Sequence, residues 1–370
     1  MRLYDTSRRE VVPFAPGDVV TMYTCGITPY DATHLGHAAT FLTYDILQRR
    51  LRDRGHDTHC VRNVTDVDDP LLAKANELGI HYLDLAAREV ARLEEDLEAM
   101  NFLPVFSAPR ATSAIAEIRK VVSQLLDSGH AYVTEGAVFF DVASYPAFGS
   151  MFHLGTDEMV ALAAERGGNP GDPRKRNPLD FVLWQASAEG EPAWESLWGP
   201  GRPGWHIECT ALAQRELGDT IDLHGGGGDL IFPHHECSAA QSQCLTGQPL
   251  ARHWMHAALV WKDGAKMSKS LGNLVFVSEL RKEWDPRAIR LMILEHHYRH
   301  EWEWSDDSMP IATARLARWA DAGDGDGGLD EVRAALDDDL DTPSALAAVD
   351  AAVAAGRGVS RAAALLGVEL

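Results

Sequence analysis

Four consecutive positions, His234-His235-Glu236-Cys237, carry side chains that bind metal ions, within the stretch DLIFPHHECSAA. From adjacent positions they cannot all ligate one ion. Cys25 in YTCG and Cys209 in WHIECT each lie near the end of an apolar element. With one histidine from PHHE they make two thiolates and an imidazole. That set favours Zn²⁺, and three protein ligands leave the fourth tetrahedral position open. A second chemistry sits in THLGHA, where His34 and His37 flank Gly36 as a loop enters a helix. Free N–H groups and the positive dipole of a helix N-terminus suit a phosphate, and the glycine permits close approach. A third is KMSKS, with Lys266 and Lys269 between Gly264 and Gly272. Lysines on a glycine-flanked loop suit the β,γ-phosphates of ATP as charge builds in a transition state. Each feature has an ordinary counterpart: buried thiols, histidines capping a helix, a solvated basic turn.

These side chains need a scaffold, and its elements are readable. Val19–Gly26 is a β-rich run ending in glycine, and the helical spacing of Phe41, Leu42, Ile46, Leu47 and Leu51 closes at Gly55. Thr58–Thr65 is a second strand, so the segment is a βαβ unit and implies a parallel sheet. Helical period continues over Leu83–Met100 and from Ile115 to Leu125. AYVTEGAVFFDV predicts a hairpin turning on Glu135-Gly136, and Gly149–Pro203 reads as irregular. TIDLHGGGGDLIF is a strand feeding glycines, HWMHAALVW another strand, DPRAIRLMILEHHY a helix and DAGDGDGG a linker.

Composition narrows the class. The chain has 370 residues, 45% of them hydrophobic, enough for a sizeable core and more than one domain. No stretch is apolar for the length a bilayer demands, and MRLYDTSRRE shows no apolar run after its basic pair. Five cysteines make an odd, sparse set that argues against a disulfide framework and for a reducing cytoplasm. The formal charge of -21 speaks for solubility and weakly against a phosphate-backbone partner.

Together and in this order, HLGH and KMSKS resemble the paired signatures of class I aminoacyl-tRNA synthetases. The resemblance implies a Rossmann-type domain that joins an amino-acid carboxylate to AMP. YTCGITPYDATHLGHA, NVTDVDD, PGWHIEC, HGGGGDLIFPHHE, HWMHAALVW and KMSKSLGN are similar to the cysteinyl-tRNA synthetases. In that family zinc is held at the positions of Cys25, Cys209 and His234 and by a glutamate four residues further on, where this chain has Ser238. His234 and Ser238 would share a helical face, with His235 and Glu236 turned elsewhere. With that departure the chain resembles the mycothiol-pathway cysteine ligases, paralogues that attach cysteine to the amine of glucosaminyl-inositol (GlcN-Ins). The loop CGITPYDATHLGHAAT fits them, as does Pro70 where the synthetases carry lysine. So does ERGGNP (Glu165–Pro170), close to a ligase motif that has aspartate at the place of Asn169. DDDLDTPSALAAVD resembles the start of the synthetase helical bundle, with little after it to read an anticodon.

The resemblance implies an α/β fold: a Rossmann-type parallel-sheet catalytic domain with an inserted α+β subdomain and a C-terminal helical bundle. Residues 1–110 and 200–260 would be the two catalytic halves, and 111–199 the inserted connective subdomain. Residues 261–305 would be the KMSKS loop and a stem-contact-like region, and 306–370 a short bundle. His34, His37, Lys266 and Lys269 would stabilise phosphate charge. Cys25, Gly26, Ile27, Thr28, Thr40, Asn63, Val64, Thr65, Trp205, Gly227, Gly228, Asp229 and Val260 would form the adenylate pocket. Asp229 would take ribose hydroxyls and Trp205 would close over the substrate side chain. Cys25, Cys209 and His234 would hold one Zn²⁺. ATP with Mg²⁺, L-cysteine and GlcN-Ins are the implied substrates, with no nucleic acid, no membrane and a cytoplasmic monomer. The alternative is a truncated cysteinyl-tRNA synthetase. A non-catalytic synthetase-like binding protein is disfavoured by the two intact signatures. Asp66, Asp68 and Asp69 are close enough in sequence to offer a base, but a helix N-terminus explains them equally well.

Overall fold

The computed structural model describes residues 1–31, 33–267 and 271–370. At its centre four parallel strands lie in the order Trp254–Ala257, Leu223–Gly227, Val19–Ile27, Asp57–Val64. Strands buried on both faces need apolar residues on both, and VVTMYTCGI supplies them. Val20 and Met22 join one core, while Tyr23 and Cys25 point to the other face and join a second. Between Thr24 and Ile27 the register with Asp57–Val64 shifts, which turns the strand end carrying the site.

The helix Leu35–Asp53 makes the crossover and lies on the first face, with Phe41, Leu42, Ile46, Leu47 and Leu51 all buried. The C-terminal helices Pro286–Leu294, Ser308–Ala322, Leu329–Asp337, Thr342–Ala354 and Ser360–Leu365 contribute to that same core. The second face is covered by the helix Trp205–Leu217 and by an antiparallel sheet that precedes it in the chain. Its strands Ala131–Thr134, Ala137–Phe140, Phe181–Ala186 and Gly201–Pro203 pair in sequence order. The first two turn on Glu135 and Gly136, at φ of 45° and 75°, the left-handed pair a two-residue hairpin requires.

Three readings change. Gly149–Pro203 is not irregular: it holds the helix Thr156–Glu165 and two strands of the antiparallel sheet. HWMHAALVW is not one strand. Trp254–Ala257 ends the parallel sheet, and Val260–Lys262 belongs to a separate sheet with Ala265–Lys266 and Trp302–Glu303. DAGDGDGG is a packed turn rather than a free linker, because Gly327 N–H donates to the Gly358 carbonyl at 2.9 Å. Among the described residues no helix is long and apolar enough to cross a membrane.

Candidate active site and metal cluster

Ligands of open parallel sheets sit outside the carboxyl ends of the strands. There a cavity of about 510 Å³ is lined by Cys25, Gly26, His34, His37, Thr40, Gly227, Asp229, Val260 and Lys266. Thus nine residues singled out from the sequence face one space. His34 is the N-cap of Leu35–Asp53, and His37 lies in its first turn, which carries no acidic residue. The two rings stack at 3.7 Å between centroids. A Cβ on Gly36 would lie 3.0 Å from the His34 ring, so the glycine lets that imidazole fold over the helix end. The helix start is tied to the segment after the lysine loop by Leu35 N–H to the Val275 carbonyl, 2.8 Å. Lys266 Nζ lies 2.7 Å from Asp229 Oδ2, so the lysine rests on that carboxylate. Lys269 lies outside the described residues.

Ile27, Thr28, Asn63, Val64, Thr65, Trp205 and Gly228 are not among the residues lining this cavity, and Asn63, Val64 and Thr65 brace the loop that does line it. Gly26 N–H donates to Asn63 Oδ1 at 2.9 Å, and Asn63 Nδ2 donates to Thr65 Oγ1 at 3.1 Å. Thr65 N–H donates to the Ile27 carbonyl at 3.0 Å. Gly26 sits so close to the neighbouring strand that a Cβ would meet the Asn63 carbonyl oxygen at 1.7 Å. Thr28 Oγ1 reaches Asp68 Oδ2 at 3.4 Å, and Gly228 begins the turn that presents Asp229. Of the acidic trio, Asp66 is taken by Thr112, through N–H at 2.9 Å and Oγ1 at 2.7 Å. Asp69 pairs with Arg202. Asp68 caps the helix Asp69–Leu78 and faces Thr28; burial pushes its carboxyl up to about 6.

Cys25, Cys209 and His234 come together from three elements, with ligand atoms within 4.8 Å of one another and all three buried. The sulfurs are 3.8 Å apart, far beyond a disulfide bond. The Cys25 S–H donates to Cys209 and holds that thiol well below its ordinary range; burial opposes this and His234 assists it. Burial, reinforced by Cys209, pushes Cys25 up. His234 Nε2 is buried without a hydrogen-bond partner, and its Nδ1 lies 2.9 Å from Nδ1 of His206. That contact leaves Nε2 as the nitrogen for an ion, the usual arrangement of an imidazole ligand oriented by a second group. Trp205 stacks on the His234 ring at 4.4 Å. A buried nitrogen without a hydrogen-bond partner beside two cysteine sulfurs is a donor set that fits Zn²⁺.

One expectation fails here. His235 is not turned away: its Nε2 lies 3.2 Å from Cys25 Sγ, and with His224 it forms a second candidate group around Cys25. Its Nδ1 contacts His256 Nε2 at 2.7 Å, and His256 Nδ1 contacts Thr6 Oγ1 at 2.8 Å. Burial pushes the His224 and His235 rings well below the ordinary imidazole range and His256 down to about 3. The first group has two sulfurs and the second has one, so the softer site is Cys25, Cys209 and His234. Ser238 Oγ is turned onto the His234 carbonyl at 3.0 Å, and no fourth protein ligand is grouped with either set among the described residues. His206, His224 and His256 escaped the sequence reading. His206 alone had a signal, standing three residues before Cys209 on the same helix.

A family model described as the tRNA synthetase class I (C) catalytic domain matches residues 11–314. The L-cysteine:1D-myo-inositol 2-amino-2-deoxy-α-D-glucopyranoside ligase of Thermobispora bispora is 51% identical over 96% of this chain and 90% of its own length. The protein of that name from Streptosporangium roseum is 48% identical over 100% of this chain and 96% of its own. Among solved structures, methionyl-tRNA synthetase of Mycobacterium tuberculosis, in complex with methionyl-adenylate, aligns with a TM-score of 0.65 at 17% identity, over 91% of this chain and 82% of its own. At that identity the likeness speaks for the fold, a Rossmann-type α/β architecture. The chain therefore belongs to the class I (C) tRNA synthetase catalytic-domain family and, within it, to the family of the L-cysteine:1D-myo-inositol 2-amino-2-deoxy-α-D-glucopyranoside ligases.

Proposed function

We propose that this chain activates L-cysteine with ATP and transfers it to the amine of GlcN-Ins, forming an amide and releasing AMP and diphosphate. The observation that carries the reading is the double membership of Cys25. Its sulfur belongs to the Cys25–Cys209–His234 cluster, and the residue also lines the strand-end cavity. A cysteine whose thiol reaches that cluster therefore has its carboxylate in the cavity. Zn²⁺ held by Cys25, Cys209 and His234 would supply an open position that takes a thiolate. Serine offers a poor ligand there, and a site built around one good bond rejects the analogue lacking it by about 10⁴-fold or more.

In the first half-reaction a carboxylate oxygen attacks the α-phosphorus of ATP, and diphosphate leaves with its Mg²⁺. His34 and His37 at the helix N-terminus, with Lys266 and Lys269 from the loop, stabilise charge on the phosphates. Asp229 accepts from the ribose hydroxyls once Lys266 has exchanged its carboxylate for phosphate. Trp205, stacked on His234, closes the side-chain end. In the second half-reaction the neutral amine of GlcN-Ins attacks the carbonyl of cysteinyl-AMP. The carbon–nitrogen bond forms, the bond to the phosphate oxygen breaks, and the ammonium proton is lost. The reading carries with it a monomer that works in the cytoplasm without nucleic acid.

The test is cysteine-dependent AMP formation from ATP, measured with GlcN-Ins or with tRNA added. Stimulation by GlcN-Ins is expected. Stimulation by tRNA alone would assign the chain to aminoacylation, and no cysteine-dependent diphosphate exchange would remove both activities.

A further inference from the structure

The segment Glu165–Pro170 does not line the cavity, and the mechanism above gives it no task. Its placement is specific all the same. The helix Thr156–Glu165 ends at Arg166, and Met159 and Ala163 anchor it in the same core as Phe232. From there the Arg166 guanidinium reaches the segment that follows the glycine-rich strand. Its Nη1 donates to the Asp229 carbonyl at 2.6 Å and to the Phe232 carbonyl. The chain is irregular there, with Phe232 at φ −138° and ψ 137°, so a continuous helical ladder is not available to these carbonyls. A second contact runs in the opposite sense beyond His234. Glu236 Oε1 accepts from the Gly149 N–H at 2.7 Å, and Glu236 is buried. Residues 229–236 are thus gripped from the 149–166 stretch on both sides of His234.

That gripped segment serves both halves of the site. It carries Asp229, which lines the cavity and pairs with Lys266, and His234, which is grouped with the sulfurs of Cys25 and Cys209. We propose that Arg166 is a positioning residue that fixes the Asp229–His234 segment, and so sets the nucleotide and metal halves of the site at a working separation. Glu236 is the matching anchor on the far side. The proposal rests on the cysteine-activation reading for its kinetic consequence, but not for its metal-binding one. A lysine in place of Arg166 keeps the charge on a shorter stem and loses the planar fork.

The experiment compares the full chain with Arg166→Ala and Arg166→Lys in two measurements. Co²⁺ titration of metal-free protein, followed by the thiolate-to-cobalt absorption, reports the cluster without turnover. Cysteine-dependent ATP–diphosphate exchange gives KM for each substrate. Arg166→Ala is expected to weaken Co²⁺ binding about 10-fold or more, as loss of a group that orients metal ligands does. It is also expected to raise both KM values together while the melting temperature stays close to that of the parent. Arg166→Lys should fall between. Co²⁺ affinity and both KM values unchanged in Arg166→Ala would overturn the proposal, as would a change in one half of the site alone. If Arg166→Ala does not fold, Arg166→Lys is judged by the same joint criterion. If the parent chain itself shows no exchange, the activation reading fails separately, and the Co²⁺ titration alone decides on Arg166.

Discussion

A buried imidazole nitrogen left without a hydrogen-bond partner beside two sulfurs is costly unless a cation joins them, and that cost makes Cys209 and His234 informative. Replacing either with alanine is expected to take bound zinc from near one per chain to near zero and to abolish cysteine-dependent exchange. His235→Ala should leave the metal close to one per chain, even though His235 touches Cys25. The reverse pattern in elemental analysis would move the ion to the Cys25–His224–His235 group. The sequence could supply Cys25, Cys209 and His234 through motif resemblance, because ligands and phosphate groups are constrained in type. It could not supply His224 or His256, whose roles depend on which elements the fold brings face to face, and His206 left only the trace of its spacing from Cys209. Asp68 offers a second residue-scale test. Its carboxyl is pushed up to about 6 in the folded chain, above the ordinary aspartate value, so folding favours its protonated form. Ionisation at higher pH therefore destabilises the fold, and the penalty is relieved as pH falls through 6 towards 4. Asparagine caps a helix as well as aspartate does. Asp68→Asn is thus expected to raise stability at pH 8 by about 1–2 kcal/mol, allowing for solvent screening of a half-buried group, with the gain shrinking as pH falls. Thermal melts at pH 8 and pH 5 check this; an equal gain at both would show that the charge is not the cause.

At the scale of elements, the site depends on how closely two strand ends approach. The shifted register after Thr24 brings Gly26 against Asn63, and only a residue without Cβ fits there. Gly26→Ala would place a methyl 1.7 Å from the Asn63 oxygen, so the strands must part. Overpacking of this kind costs about 1–3 kcal/mol. Since the parted segment carries Cys25 and the cavity wall, KM for ATP should rise as well. Gly17→Ala is the control, with nothing within 4 Å of the added carbon. Equal urea midpoints for the two variants would show that the close approach carries no constraint. The parallel strands and the hairpin at Glu135-Gly136 were legible because apolar runs and turn residues mark them locally. The Gly201–Pro203 strand was not, because a Gly-Arg-Pro edge strand has no strand pattern of its own and exists only through its pairing with Phe181–Ala186. HWMHAALVW hid its division for a related reason: an apolar run carries no mark of the point where the chain leaves one sheet for another.

For the molecule as a whole, the C-terminal helices are not an appendage. They share a core with the sheet and are pinned to it by charges that are almost wholly enclosed. Arg290, 0% exposed, pairs with Asp45, 2% exposed, on the crossover helix, and donates to the Leu366 carbonyl at 2.7 Å and the Met100 carbonyl at 3.1 Å. Asp45 also accepts from Arg49 at 2.8 Å and from Leu103 N–H at 2.7 Å. Although burial opposes ionisation, the Arg290 and Arg49 charges hold the Asp45 carboxyl below its ordinary value. The contribution of this pair is therefore complete above the unfolded aspartate value and is lost as pH falls through the lower folded one. Asp45→Asn keeps the shape and removes the counter-charge, leaving a guanidinium buried against a neutral amide. Removing one partner of a buried pair costs about 3–5 kcal/mol, whereas replacing both with apolar side chains is close to neutral. Urea unfolding at pH 7.5 should show a loss of that size for Asp45→Asn, with much of it regained when Arg290→Met is added to Asp45→Leu. Because the pair joins the crossover helix of the catalytic core to the C-terminal helices, both parts should unfold in one transition in the parent chain. Asp45→Asn should lower the whole transition or split it. A loss below about 1 kcal/mol with an unchanged single transition would mean that apolar packing alone holds the C-terminal helices in place.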